Sequence, residues 1–300
     1  MKMALDIIVD GRHISLPLPG TIPLALLVSI LDRSLQKDNR RIVSVLAGGR
    51  DLFTPEAMYE RCEALTNIEC VTGSVPDVLQ KAVVTLAIDE FTGMKDVAFP
   101  FMRRYAAKIG ADFVPIETPK LFMPFPHYEK WQMYDLLFEY DRIVYLDVDI
   151  LVSPRCPDLF DQVPLEKIGG LDEGKYIDRT ICMRIAQSQL GDLGWRETFL
   201  NSGVGVYSYI HRPLFMKRPK VVMGSFADQT MYNYCIKQLG FAIHDLAPEF
   251  NRMDVFGPDR LSGYVIHYAG TGYTGKTDMK EAHKAKLVLM KEDARILEGV

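Results

Sequence analysis

The chain has few cysteines, no long apolar run and no cluster of basic residues. Its five cysteines (Cys62, Cys70, Cys156, Cys182 and Cys235) are scattered through 300 residues without a C-x-x-C pair. A sparse, odd set of this kind speaks against a disulfide framework and a zinc site, and is expected of reduced, buried thiols. The most apolar early stretch, Ile22 to Leu31, is too short to span a bilayer and contains Pro23. No basic stretch followed by an apolar one opens the chain. A cytoplasmic protein with no transmembrane segment is therefore expected. Lys and Arg number 35 against 39 Asp and Glu, for a net charge of −4. That balance lacks the footprint of a nucleic-acid binder, so no nucleic-acid partner is expected. An acidic protein can still take a single diphosphate through a bound cation. With 48% hydrophobic and 25% charged residues, the chain has the composition of an ordinary globular protein.

What is present falls into two styles. Residues 1–76 read as a small α+β module. Leu5 to Val9 is a predicted strand, Asp10-Gly11 a hairpin turn, and His13 to Leu18 its partner strand. A predicted amphipathic helix runs from Pro23 to Gln36, with strands at Ile42 to Leu46 and Ile68 to Val71. The element order suggests a ubiquitin-like, β-grasp module, with a linker at Gly73 to Asp77. Residues 82–300 read as an α/β domain. Val83 to Ile88 is a continuous apolar strand, followed by a helix from Ala98 to Ile109 and a strand at Phe113 to Ile116. That succession predicts a βαβ unit with a sheet buried on both faces. A helix is predicted from Tyr128 to Tyr140, and strands at Ile143 to Leu146, Gly203 to Tyr207 and Tyr264 to His267. A Lys- and Ala-rich helix closes the chain, and a mixed, Rossmann-like sheet is expected.

Directly after the apolar strand Ile143 to Leu146 stands Asp147-Val148-Asp149. In an extended chain the two carboxylates would share one side while Val148 faces the core. Open α/β sheets bind ligands at the carboxyl ends of their strands. Two adjacent carboxylates there repel unless a cation lies between them, and hard oxygen ligands suit Mg²⁺ or Mn²⁺. A bare D-x-D arises by chance about once in a chain this long. It is the apolar residues on both sides that single this one out, because unpaired carboxylates in such a setting are costly.

The stretch from Lys130 through Tyr140-Asp141-Arg142-Ile143-Val144-Tyr145-Leu146-Asp147-Val148-Asp149 resembles the core of the glycogenin-like, retaining glycosyltransferases of the GT-A fold. Three further segments match in order: Phe199-Leu200-Asn201-Ser202-Gly203-Val204, with Leu200 inserted; Asp228-Gln229; and Ile266-His267-Tyr268-Ala269-Gly270. The resemblance covers roughly residues 82–276 and leaves the N-terminal module outside.

This resemblance implies a hexosyl transfer from a UDP-sugar, against the plainer reading of the acidic pair as solvated loop residues. It makes His267 the third ligand to a metal held by Asp147 and Asp149, where a lone histidine would otherwise read as a core residue. Val148, Asn201 and Ser202 fall with the donor; a turn asparagine is the plainer reading of Asn201. Lys130 would reach the donor's sugar or diphosphate, or else be a solvated helix-surface lysine. Asp228 and Gln229 would lie near the reacting carbon, although Asp228 also suits a helix N-terminus. Backbone at Gly270 and Gly272 would approach the phosphates and Lys276 would touch them. The family's lysine follows a shorter gap than this one does. Ile88, Asp89 and Phe91 would hold the nucleotide, with Phe91 alternatively in the core. Gly169 to Tyr176 is expected as a lid or a surface loop. The acceptor remains open among a glycan, a lipid-linked sugar and a protein. A sugar nucleotidyltransferase is the nearest rival, but Asp89 to Lys95 has only Gly93 and no Arg for a phosphate loop. A non-catalytic nucleotide-sugar-binding scaffold is the other.

Overall fold

A computed structural model describes residues 3–18, 20–88, 92–224 and 226–299. The chain divides into two compact units. The first takes Met1–Leu79 together with Met133–Asp141 and Ser208–Met216; the second takes Gln80–Gln132, Arg142–Tyr207 and Lys217–Val300.

In the first unit β1 (Met3–Val9) and β2 (Arg12–Leu18) form an antiparallel hairpin. Asp10 and Gly11 both have positive φ, 49° and 76°, as the tight turn between right-twisted strands requires. The helix Leu24–Leu35 buries Leu24, Leu27, Val28 and Leu31, an apolar stripe at helical spacing. Asn39, in the left-handed region, turns the chain into β3 (Arg40–Ala47). With β4 (Arg50–Asp51) and β5 (Ile68–Ser74) the sheet has the order β2-β1-β5-β3-β4, and β1 runs parallel to β5. Gly73 and Ser74, expected in a linker, belong to β5 and pair with Arg41 and Arg40.

The second unit is built on a six-stranded sheet. Its strands are β6 (Lys81–Leu86), β7 (Asp112–Ile116), β8 (Arg142–Leu146), β10 (Lys167–Gly170), β11 (Val204–Ser208) and β12 (Ala242–Asp245). The order is β12-β10-β11-β8-β6-β7. Strand β6 is parallel to β7 and β8, whereas β10 is antiparallel to β11, so the sheet is mixed and the fold α/β, as expected. Every residue of β8 and β11 is buried, which explains their unbroken apolar runs. The helix Thr92–Lys108 begins six residues before the predicted start and carries Pro100 inside it. Its core stripe of Met94, Ala98, Phe101, Met102 and Tyr105 holds it through the proline.

The single helix predicted from Tyr128 to Tyr140 is two elements: a 3-10 stretch, Pro126–Gln132, and a short α-helix, Met133–Glu139. Tyr128 through Gln132 are all buried. Five consecutive buried side chains cannot share one face of an α-helix, so the amphipathic reading fails there. A further pair, β9 (Ile150–Val152) and β13 (Val265–His267), forms its own antiparallel ribbon, with His267 opposite Ile150.

Candidate metal centre

The D-x-D segment does not stay extended. After β8 the chain turns at Val148 and Asp149 before β9 resumes at Ile150. Val148 is buried in the main apolar cluster, as expected, and anchors the turn. The Asp147 amide donates to the Gly203 carbonyl at 2.8 Å, and the Tyr268 amide donates to the Asp149 carbonyl at 3.0 Å. The β9–β13 register then brings the last residue of β13 to the acidic pair. One donor atom each from Asp147, Asp149 and His267 lies within 4.8 Å of the others. His267 Nε2 is 3.4 Å from Asp149 Oδ1 and 4.0 Å from Asp147 Oδ2.

The other oxygens of these carboxylates are held from outside. Asp147 Oδ1 accepts the Tyr145 hydroxyl at 2.8 Å and lies 3.6 Å from Lys130 Nζ. Asp149 Oδ2 accepts from Lys286 Nζ at 2.8 Å. Burial alone would raise the Asp149 carboxyl, but Lys286 and His267 beside it hold it well below the usual carboxylate range. Each carboxylate thus has an outer oxygen tied to the protein and an inner oxygen turned toward the imidazole.

The imidazole is set by a chain of amides. The Gly203 N–H donates to Asn201 Oδ1 at 2.9 Å, which fixes the direction of that side chain and leaves Asn201 Nδ2 to donate to Glu173 Oε2 at 2.8 Å. Asn251 Nδ2 donates to the same Asn201 Oδ1 at 3.0 Å, so Asn251 Oδ1 faces His267 Nδ1, 2.8 Å away. Nδ1 then carries a proton toward Asn251, and Nε2 is the nitrogen turned toward the carboxylates. Asn251 is fully buried, so this order is protected from water.

Gly203 closes the cradle. A Cβ on it would sit 2.3 Å from His267 Cε1, 2.7 Å from Asp147 Oδ2 and 2.9 Å from His267 Nε2. Only glycine lets the backbone come that near. Two inward carboxylate oxygens, an imidazole nitrogen and an adjoining position that must stay free of side chain form a donor set that can hold a divalent cation.

Next to this centre lies a second set of paired groups. Lys130 is 4% exposed and is no surface lysine. Its Nζ pairs with Asp228 Oδ2 at 2.9 Å and donates to Ser202 Oγ at 3.3 Å. Burial works against the Lys130 charge, but Asp147 and Asp228 outweigh it and raise its pKa. Asp228 lies in the first turn of the helix Ala227–Leu239, and Lys130 holds its carboxyl low against the opposing effect of burial. Gln229 Oε1 accepts the Ser202 N–H at 3.1 Å, and its Nε2 donates to Glu173 Oε1 at 2.8 Å. Glu173, 1% exposed, also accepts from Arg179 Nε.

Gly169 and Gly170 lie in β10, and Leu171, Asp172 and Glu173 are buried, so the expected lid or surface loop is largely interior. Ile88 is buried just beyond β6; Asp89 and Phe91 lie outside the described residues. Gly270 has φ +55°, and a Cβ on Gly272 would come within 2.7 Å of the Asp254 carboxylate, so both positions call for glycine. Lys276 is exposed at the end of that turn, its amide donating to Thr274 Oγ1 at 3.2 Å. No described contact ties it to the acidic pair.

No family model matches the chain, and no curated protein matches it. Solved structures do. Three of them are glycosyltransferases. One is involved in glycosylation of the major capsid of PBCV-1; it is 11% identical, with a TM-score of 0.47, over 71% of this chain and 99% of that one. A second is the galactosyltransferase LgtC in complex with donor and acceptor sugar analogs, 16% identical with a TM-score of 0.44, over 71% and 95%. The third is the bifunctional WbbM, 13% identical with a TM-score of 0.45, over 76% and 55%.

Proposed function

We propose that residues 82–300 are a GT-A glycosyltransferase that moves a hexosyl group from a UDP-sugar to a glycan, lipid-linked or protein acceptor. In this reading residues 1–76 are an accessory module, and the protein acts in the cytoplasm. Among the described residues no helix is long and apolar enough to cross a membrane. The observation that carries the proposal is the convergence of three ligand atoms, one from each residue, while the outer atoms of the same groups are tied to the surrounding protein. A charge cluster serving the fold alone has no need to leave its inner atoms facing one another.

Asp147, Asp149 and His267 would hold Mn²⁺ or Mg²⁺, which when bound neutralises charge on the leaving diphosphate. Lys130, buried between Asp147 and Asp228, places a fixed positive charge beside the same position. Asn201 and Gln229 are locked by backbone N–H groups, so they offer the donor sugar a rigid polar wall rather than mobile side chains. Ile88, Asp89 and Phe91 are assigned to the nucleotide, and Val148, Ser202, Gly270 and Gly272 to the backbone around the diphosphate. Lys276, on an exposed turn, is assigned to the leaving group.

Retention follows from the family resemblance, and the neighbouring acids support a same-face route. Asp228 is paired with Lys130, and Glu173 is enclosed by donors from Arg179, Asn201 and Gln229. Neither is free to attack the anomeric carbon. Screening UDP-sugars for hydrolysis with and without Mn²⁺ tests the function: UDP release that needs the cation is expected. Release of pyrophosphate instead would turn the reading to nucleotidyl transfer, and an inverted product anomer by NMR would remove retention.

A further inference from the structure

Lys286 has no part in the chemistry above, yet it is among the most buried side chains of the protein, 2% exposed. It lies on the helix Met279–Glu298 in a stripe with Ala282, Met290 and Ala294, where an apolar residue would pack without any cost of burying charge. Its ammonium instead reaches Asp149 Oδ2. The opposite oxygen of that carboxylate is the one turned toward His267. Around the centre, Asp147, Asp149 and Asp228 face Lys130 and Lys286, so most of the negative charge that would attract a cation is already balanced.

We propose that Lys286 is a positioning residue that restricts Asp149 to one-oxygen ligation and keeps the free cation weakly held, so that cation and nucleoside diphosphate enter and leave together. The proposal rests on the metal-dependent reading of the site. An ammonium on one oxygen of a carboxylate opposes a dication on the other. The negative charge of a diphosphate offsets that opposition, so each ligand strengthens binding of the other by the same factor.

The test is calorimetry of the full chain with Mn²⁺, alone and with saturating UDP, on wild type, Lys286→Met and Lys286→Arg. For wild type, UDP should tighten Mn²⁺ binding by about tenfold or more. Lys286→Met should tighten Mn²⁺ alone by about tenfold and shrink the gain from UDP, with an equal shrinkage in the gain that Mn²⁺ gives UDP. Lys286→Arg, which keeps the charge, should follow wild type. A strut with no electrostatic part predicts the reverse sign, since losing it would loosen Asp149 and weaken the metal. Unchanged or weaker Mn²⁺ binding by Lys286→Met, in a protein whose wild type does bind Mn²⁺ with UDP, overturns the role of Lys286 alone. A wild type that takes no Mn²⁺ even with UDP overturns the metal-dependent reading as well. Should the methionine variant not fold, Lys286→Gln replaces it with the same expected signs.

Discussion

Each unit buries a cluster of charges, and the two clusters end differently. In the first unit Asp32, 1% exposed, accepts the Ile42 N–H at 2.7 Å. Arg212 donates to the Leu137 carbonyl at 3.0 Å and lies over the Phe138 ring, while Arg41 pairs with Asp141. Charge there is met by opposite charge, backbone or an aromatic face. In the second unit the outer atoms of Asp147, Asp149 and His267 are just as well met, but the inner ones are turned toward each other. Burial of charge therefore does not by itself mark a functional site. What marks it is lone pairs left over after the packing has been satisfied, aimed at a common point.

The sharpest way to break that comparison is Asp149→Asn. The amide oxygen can still accept from Lys286, but the buried ammonium loses its counter-charge, so a partial loss of thermal stability is expected with the fold retained, while sugar transfer should fall by about a thousandfold or more if cation chemistry supplies several kcal/mol. Equal loss of stability and activity would make the second cluster structural, like the first. Gly203→Ala comes next. Its Cβ would enter the space between His267 and Asp147, and Mn²⁺ affinity by calorimetry should fall by about ten- to hundredfold. Overpacking should also cost about 1–3 kcal/mol in urea unfolding. Normal affinity in this variant would show that the cradle is not where the cation sits.

Why some of this was legible in the sequence and some was not follows from the geometry. The acidic pair announced itself because β8 is apolar throughout and the carboxylates stand at its end. His267 was visible through its motif, and the β9–β13 ribbon that delivers it needed only a short apolar strand on each side. The α/β pattern was legible for the same reason: its central strands are buried along their whole length and read as unbroken apolar runs. Lys286 was hidden in a Lys-rich helix that also carries Lys280, Lys284 and Lys291. Its signal was spacing, since it falls on the stripe of Ala282, Met290 and Ala294. Asn251 and Glu173 gave no local signal of the site, because the site residues they bond, His267 and Asn201, are 16 and 28 residues away. The broken helix at Gln132 was missed because helical periodicity cannot reveal five buried neighbours in a row.

A smaller test reaches the tautomer. Asn251→Ala removes the acceptor at His267 Nδ1, freeing the proton to sit on Nε2, where a ligand lone pair is needed. Mn²⁺ affinity should drop by about tenfold, less than for Gly203→Ala, because the two carboxylates stay in place. Nitrogen shifts of the His267 ring by NMR should report the change of tautomer independently of any activity. Preserved Nδ1 protonation in that variant would remove Asn251 from the ordering chain.

The smallest effect is expected in the first unit, and it has a sign. Burial pushes the Asp32 carboxyl up to about 6 from 3.8, against the pull of Arg212, the Ile42 N–H and Arg41. Because the folded-state value lies above the unfolded one, the native unit binds a proton over a pH range in which the unfolded chain has already released it. Stability should therefore fall as pH rises through that range, with the full cost of the buried charge present above about pH 6. Between pH 5 and pH 7 the change is about 1 kcal/mol. Urea unfolding at both pH values, compared with Asp32→Asn, should show this component in wild type and its loss in the variant. An identical pH dependence in the two would mean that Arg212 and Arg41 keep Asp32 ionised throughout. The closed cluster would then be as fully charged as the open one, and the contrast between them would rest on the direction of lone pairs alone.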